Sequence, residues 1–378
     1  VVIFQHRTRL TDCLQYTNEG GLTKMEITEL LRIVIDKGSS DLHIAVGRPP
    51  MLRINNILVP TDFDILMPED THRLVYSILN DEQKLKFEMD KELDFSLSLH
   101  EFGRFRVNIH YQRGTVAAAL RSIPMRIPSL KELKLPAVLE TMAEKKSGLV
   151  LVTGPTGSGK STTLAALIDL INANRSCHII TVEDPIEYLH KHKNCLIEQR
   201  EVNSDTHSFS NALKYVLRQD PDVILIGEMR DLETIAAALT AAETGHLVFA
   251  TLHTVDAAQT IDRIVDVFPS HQQTQIRMQL AQVLLGVFCQ RLLTRADGTG
   301  MVPAVEVMIA TPAIAALIRE CKTHQIPSSI ETGFQLGMQT VDRCLAQLLR
   351  RKIITRQEAE SYAKKPQDLD RYYQMVDL

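Results

Sequence analysis

The 378-residue chain contains no Cys-x-x-C pair. Its six cysteines (Cys13, Cys177, Cys195, Cys289, Cys321 and Cys344) are widely scattered. That spacing argues against a zinc ribbon and for reduced thiols in a cytosolic setting. No apolar run reaches the ~18 residues of a membrane-spanning helix. The N-terminus lacks the apolar block of a signal peptide. A strong charge imbalance is missing too: 42 Lys and Arg against 46 Asp and Glu leave a formal net charge of −4. Composition therefore supplies no general attraction to nucleic acid or to an anionic membrane. There is no internal repeat and no low-complexity tract. What is left is ordinary globular composition, 44% hydrophobic and 23% charged, at a length that fits two or three domains.

One stretch organises the rest. An apolar run, Leu149 to Val152, leads into Gly154-Pro-Thr156-Gly157-Ser158-Gly159-Lys160-Ser161-Thr162, and a helical pattern begins at Ser161. Gly-x-x-x-x-Gly-Lys-Ser between a strand and a helix fits a phosphate-binding loop. Gly154, Gly157 and Gly159 let the backbone bend so that N–H groups converge on phosphate oxygens. The helix that follows aims its positive end at the same oxygens. Lys160 can reach the β- and γ-phosphates, and the Ser161 hydroxyl can bind Mg²⁺. A plain glycine-rich surface turn would not need this spacing, these flanks and Lys-Ser together.

Residues 1–24 show no sustained period and read as a flexible leader, or as a start placed upstream of the native one. Residues 25–124 read as a small α/β domain, with a helix from Glu26 to Lys37 and strands at Gly103 to Tyr111 and Thr115 to Ile123. Arg104, Arg106 and Asn108 fall on one strand face and Phe105, Val107 and Ile109 on the other. Arg106, Arg113 and Arg121, taken alone, read as solvated surface. Residues 125–145 read as a proline-bearing linker and a first helix. A core follows over 146–290, where strands alternate with helices as in a parallel sheet covered on both faces. Gln272 to Leu293 carries apolar residues at helical spacing and reads as one long packed helix. Residues 291–378 read as mostly helical, with a helix at Gly337–Arg351 and a capping box at Thr355 and Glu358.

In such a sheet, ligands bind at the carboxyl ends of the strands. Those ends carry Glu183-Asp184-Pro185-Ile-Glu187, Gly227-Glu228-Met-Arg230-Asp231 and Leu252-His253-Thr254, with Thr244-Gly245-His246 at the start of the last strand. One carboxylate can hold a water on Mg²⁺ and another can orient or deprotonate an attacking water. His253 can sense the γ-phosphate or stabilise its charge.

These motifs, in this order, resemble the Walker A, Asp-box, Walker B and His-box of secretion-type hexameric ATPases. Ser40-Asp41-Leu-His43, Arg104-Phe-Arg106-Val-Asn108 and Gly337-Met-Gln-Thr340 narrow the resemblance to the type IV pilus retraction (twitching motility) ATPases. The match runs from Met25 to about residue 365. It implies an N-terminal PAS-like α/β domain, a RecA-like ATPase core and a helical C-terminal region. It further implies a homohexamer with ATP and Mg²⁺ between the core of one subunit and the N-terminal domain of the next. By that resemblance Arg106, Arg113 and Arg121 are brought to the phosphates, which replaces the solvated-surface reading. Arg218 lies near the same interface, and His246 joins the nucleotide-binding set with residues 154 and 156–162. Ser161, Glu183 and Glu228 serve Mg²⁺, partly through water, and which glutamate is the base stays open. The implied setting is the cytoplasm at the inner-membrane base of the pilus. The implied partner is a platform protein in that membrane, with no nucleic-acid partner and membrane contact only through partners.

One departure stands out. The family's Ala-Ile-Arg-Asn-Leu-Ile-Arg-Glu motif here reads Ala313-Ile-Ala315-Ala316-Leu-Ile-Arg319-Glu320. Altered coupling to the pilus machinery is one reading of this. It leaves open an accessory subunit beside a second retraction ATPase, while a type II secretion or conjugation ATPase is a further alternative.

Overall fold

A computed structural model describes residues 25–54, 57–99, 103–124 and 126–375. The expected leader, residues 1–24, lies outside the described residues. The chain forms two compact units that divide between Ser122 and Ile123.

The first unit opens with helix α1 (Ile27–Asp36), whose Ile27, Leu30, Leu31 and Val34 are buried at the spacing visible in the sequence. Strands β1 (Asp41–Ile44), β2 (Met51–Ile54) and β3 (Ile57–Pro60) follow, then helices α2 (Pro68–Tyr76) and α3 (Asp81–Asp90). Strands β4 (Glu92–Leu99), β5 (Gly103–Gln112) and β6 (Thr115–Ile123) complete it. The sheet order is β3-β2-β1-β6-β5-β4. Strand β3 has no sequence signature, because it is an exposed edge strand too short to alternate. Alternation on β5 holds: Phe105, Val107 and Ile109 are fully buried and Arg106 is exposed on the other face.

The second unit contains α4 (Val138–Ala143), β7 (Gly148–Thr153), α5 (Lys160–Asn174), β8 (His178–Glu183), β9 (Leu196–Glu201), α6 (Phe209–Val216), β10 (Val223–Ile226), α7 (Leu232–Glu243) and β11 (Leu247–Leu252). Beyond these come α8 (Ala257–Asp266), α9 (Ser270–Val283), β12 (Leu284–Thr294), β13 (Met301–Ile309), α10 (Pro312–Arg319), α11 (Ile326–Thr332), α12 (Val341–Arg350), α13 (Arg356–Tyr362) and α14 (Pro366–Met375). The sheet order is β13-β12-β7-β11-β10-β8-β9. Every residue of β7, β10 and β11 is buried, as expected for central strands covered on both faces. Val150 and Val152 of β7 pack with α5 residues Leu167 and Ile168 on one face. Leu149 and Leu151 pack with residues of α6 to α9 on the other.

The long helix expected over 272–293 ends at Val283, and β12 begins at the next residue. Leu280, Val283, Leu284, Val287 and Phe288 satisfy a helical period by coincidence. The run from Val283 to Cys289 is also the near-continuous apolar block of a strand buried on both faces. β12 pairs in parallel with β7, and β13 returns antiparallel beside it. The region from residue 291, expected to be mostly helical with a strand or two over Val302 to Ile309, opens with the end of β12 and with β13 at Met301–Ile309, and becomes helical from α10.

Thr311, Thr340 and Thr355 each cap the helix that follows through the side-chain oxygen. The expected start at Gly337 is four residues early, since Gly337 has φ +82° and the helix begins at Val341, after Thr340. Glu358 does not complete a capping box. Its carboxylate instead accepts from the Thr294 N–H at 2.8 Å, pinning the helical tail to β12.

A second pin is charged. Lys364 Nζ lies 3.1 Å from Glu306 on β13 and 3.3 Å from Asp256 before α8. Glu306 is 4% exposed, and its other oxygen accepts from the Ala257 N–H. Removing the ammonium would leave a buried carboxylate without its counter-charge. Lys364→Met should lower unfolding free energy by about 1–3 kcal/mol, the low end reflecting the partly exposed lysine. Chemical denaturation of the variant measures this, and an unchanged midpoint would show the cluster to be energetically neutral.

Candidate functional site

Strand register assembles the site. Thr153 pairs with Leu252, and Val182 pairs with Ile226. The residues that follow these strands (Gly154, His253, Gly227-Glu228 and the last residue of β8, Glu183) therefore share the carboxyl edge. Gly154, Gly157 and Gly159 have φ values of +143°, +79° and +85°, which glycine adopts without strain. Thr156 and Gly157 are exposed and Ser158 is buried. Lys160 Nζ donates to the carbonyls of Gly154 and Pro155 at 2.8 and 3.1 Å. Burial pulls its ammonium below the usual lysine value, against the carboxylates of Glu228 and Glu187. Ser161 occupies the first turn of α5, and the Thr162 hydroxyl lies 3.0 Å from the Tyr188 hydroxyl.

The two glutamates sit in opposite environments. Burial pushes the Glu183 carboxyl up to about 7, even though Thr181 Oγ1 and Gln199 Nε2 donate to it at 2.7 and 3.2 Å. Burial also acts on Glu228, but hydrogen bonds from Arg230 and His253 outweigh it and hold that carboxyl below the usual glutamate value. Arg230 is 2.7 Å from one Glu228 oxygen and His253 Nε2 is 3.0 Å from the other. One edge thus carries a near-neutral acid and a clamped carboxylate, a pairing that separates proton-handling and charge-holding roles.

Sequence reasoning missed four partners: Gln199 on Glu183, Arg230 on Glu228, Tyr188 on Thr162, and Gln290, which is buried against the glycine loop. Arg230 stands two residues from Glu228 and was visible as part of the same cluster. The others come from distant segments. Beside the loop is a cavity of about 470 Å³ lined by Leu133, Leu135, Thr162, Thr163, Leu292 and Val302, among others.

Two expected nucleotide residues are not brought to this edge. His246 precedes β11, and its Nδ1 is engaged by the Ala241 carbonyl at 2.9 Å. The length of β11 puts it about 17 Å from the carboxyl edge. Arg218 is exposed after α6, close in sequence to Asp222, which binds the His178 N–H at the amino end of β8.

Within the first unit, Arg106 and Arg121 are both on strands whose core-facing neighbours are buried, and both project from the non-core face. Arg121 Nε donates to buried Asp41 at 2.8 Å, and Arg53 also contacts Asp41. Arg113 sits with φ +49° in the turn between β5 and β6. Seven residues of extended chain put it about 20 Å from Arg106. Arg106 and Arg121 therefore share one sheet face, and Arg113 stands at the turn beyond its end.

Among the described residues no helix is long and apolar enough to cross a membrane, and no group of three His, Cys, Asp or Glu is placed to hold a metal. The remaining donors at the edge, the Ser161 hydroxyl and the Glu228 carboxylate, are hard oxygen ligands. They fit Mg²⁺, which usually takes one or two carboxylates plus phosphate oxygens and water.

A glycine loop between a parallel strand and a helix, with acids and a histidine on the neighbouring strand ends, defines a phosphate-loop nucleotide-hydrolase class. The type II/IV secretion system protein family matches residues 118–365. The type IV pilus retraction ATPase PilT of Pseudomonas aeruginosa is 50% identical over 344 residues, covering 91% of this chain and 100% of its own. A twitching motility protein of Neisseria gonorrhoeae is 48% identical, covering 91% and 92%. PilU of P. aeruginosa is 44% identical, covering 91% and 90%. A crystal structure of the pilus retraction motor PilT with bound ADP superposes with a TM-score of 0.87 at 49% identity, covering 92% of this chain and 99% of that one. The chain belongs to the type IV pilus retraction ATPases of the type II/IV secretion family.

The acid environments generate a pH prediction. The folded chain favours the protonated Glu183 carboxyl, so between its ordinary value of 4.5 and about 7 the native state holds a proton the unfolded chain has released. Stability should fall as pH rises through that window, by roughly 3 kcal/mol, and level off above it. Glu183→Gln remains neutral and should lack that component. Urea midpoints across the window compare the two proteins, and parallel curves would mean that Glu183 is already ionised.

Proposed function

We propose that the chain is an ATP-hydrolysing motor subunit that powers retraction of type IV pili. The observation that carries this reading is the shared edge: glycine loop, Lys160, Glu183, Glu228 and His253 on adjacent strand ends. Phosphates lie on the loop, with Lys160 leaving its carbonyl partners for the β- and γ-oxygens. Thr156, Ser158 and Thr162 complete the loop. The cavity beside Thr162 takes the sugar and base. Ser161 and Glu228 would hold Mg²⁺, which would supply charge neutralisation on the phosphates.

Glu183 is the residue we assign as base. A carboxyl near 7 accepts a proton from water more readily than an ordinary glutamate does at neutral pH. Glu228, tied by Arg230 and His253, stays charged and orients the metal side, and His253 reports the γ-phosphate. Lys160 and Arg230 are both engaged within their own unit. The missing transition-state cation comes from a neighbouring copy, with Arg106 and Arg121 the candidates on one sheet face; such arginines are worth ~10³–10⁵ in turnover. A ring of six copies supplies each site in this way. The ring works in the cytoplasm against an inner-membrane platform protein. A second reading, an accessory subunit beside another retraction ATPase, is favoured by Ala315 and Ala316 on α10.

Lys160→Ala should abolish ATPase activity. Glu183→Gln should retain ADP affinity within threefold while hydrolysis falls ~10²–10⁴-fold. Steady-state turnover and ADP titration test both, and normal hydrolysis by Glu183→Gln would move the base to Glu228. Deleting the gene should leave an excess of surface pili by electron microscopy. Bald cells would point to extension instead. A normal count beside an intact second ATPase would favour the accessory role.

A further inference from the structure

We propose that Gln290 is a positioning residue that fixes the direction of the Gly159 N–H, and with it the anion-holding face of the glycine loop. The inference rests on the phosphate-loop reading above. β12 pairs with β7 so that Cys289 lies opposite Thr153, which puts Gln290 beside Gly154 where β7 ends. The side chain is 4% exposed. Its Nε2 donates to the Ser158 carbonyl at 2.7 Å, and its Oε1 accepts from the Thr163 hydroxyl at 2.8 Å. The Ser158 carbonyl can only accept, so it turns Nε2 toward the loop, and the hydroxyl of buried Thr163, in the first turn of α5, holds Oε1 on the other side.

A planar trans peptide points its C=O and its N–H in opposite directions. With the Ser158 carbonyl held against Gln290, the Gly159 N–H is sent to the other side of the loop. Something must hold it there, because glycine tolerates either orientation of the peptide at little cost. A flip would exchange a donor for an acceptor where negative charge is bound. The fit leaves no slack: a Cβ on Gly154 would collide with the Gln290 carbonyl, and one on Gly159 would come within 2.8 Å of Nε2.

Gln290→Leu keeps the volume and removes both hydrogen bonds. ADP affinity should fall ~10–100-fold, the range for one hydrogen bond to a charged group. AMP, which lacks the β-phosphate, should lose less than threefold. Thr163→Val, which frees the amide to turn, should show the same selectivity with a smaller loss, and serves if the leucine variant fails to fold. Calorimetric titration of ADP and AMP into both variants reads this ratio, alongside nucleotide-free melting temperatures. Equal losses for ADP and AMP would reduce Gln290 to a packing residue, and unchanged ADP affinity in either folded variant would also overturn the proposal. Failure of the unmutated protein to bind ADP would instead overturn the phosphate-loop reading itself.

Discussion

The second unit depends on strand β7 being immobile. It is flanked on both sides by parallel partners and buried on both faces. Its carboxyl end is therefore a fixed point, and the glycine loop begins there without freedom to drift. Strands β11, β10 and β8 stop close to the same level while β12 runs on past it, so the last residue of one and the first residues after the others meet at a common edge. The chemistry proposed above draws on backbone dipoles, one ammonium and two carboxyls, all of which act over a few ångströms. That edge is useful only because the hydrogen-bonded ladder holds the positions of all of them at once.

Environment then separates two chemically identical residues. Glu183 is half-buried at the end of β8 with hydroxyl and amide donors, neither charged, and is driven toward the neutral acid. Glu228 meets a guanidinium and an imidazole, and is kept as an anion. The sequence writes both as glutamate after a strand, so it cannot tell them apart. The distinction is made by Thr181, Gln199, Arg230 and His253, none of which was assigned to that task from sequence.

Much of the fold was legible beforehand because its signals are local. The glycine loop, the alternation on β5, the stripe on α1 and the threonine caps are each written within a dozen residues. The failures are non-local. β12 could not be told from a helix because a continuous apolar run fits either period; the matter is settled by pairing with β7, more than a hundred residues away. Misreading β12 concealed Gln290, since a helix there would have carried no reason to place it beside Gly154. The arginines could be gathered only by motif matching, because nothing local in β5, the turn after it or β6 says what that sheet face meets. His246 and His253 belong to one motif in the sequence, and the strand between them carries them to opposite edges.

The ammonium of Lys364 links three segments that no local pattern connects: the tail, strand β13, and the cap of the helix that follows the His253 loop. Grafting the tail of a relative onto this core would succeed only if acids equivalent to Asp256 and Glu306 met a matching cation. Anyone building chimaeras to learn which part of the molecule decides its cellular role must move these three positions together. Over evolutionary time they should be inherited as a set.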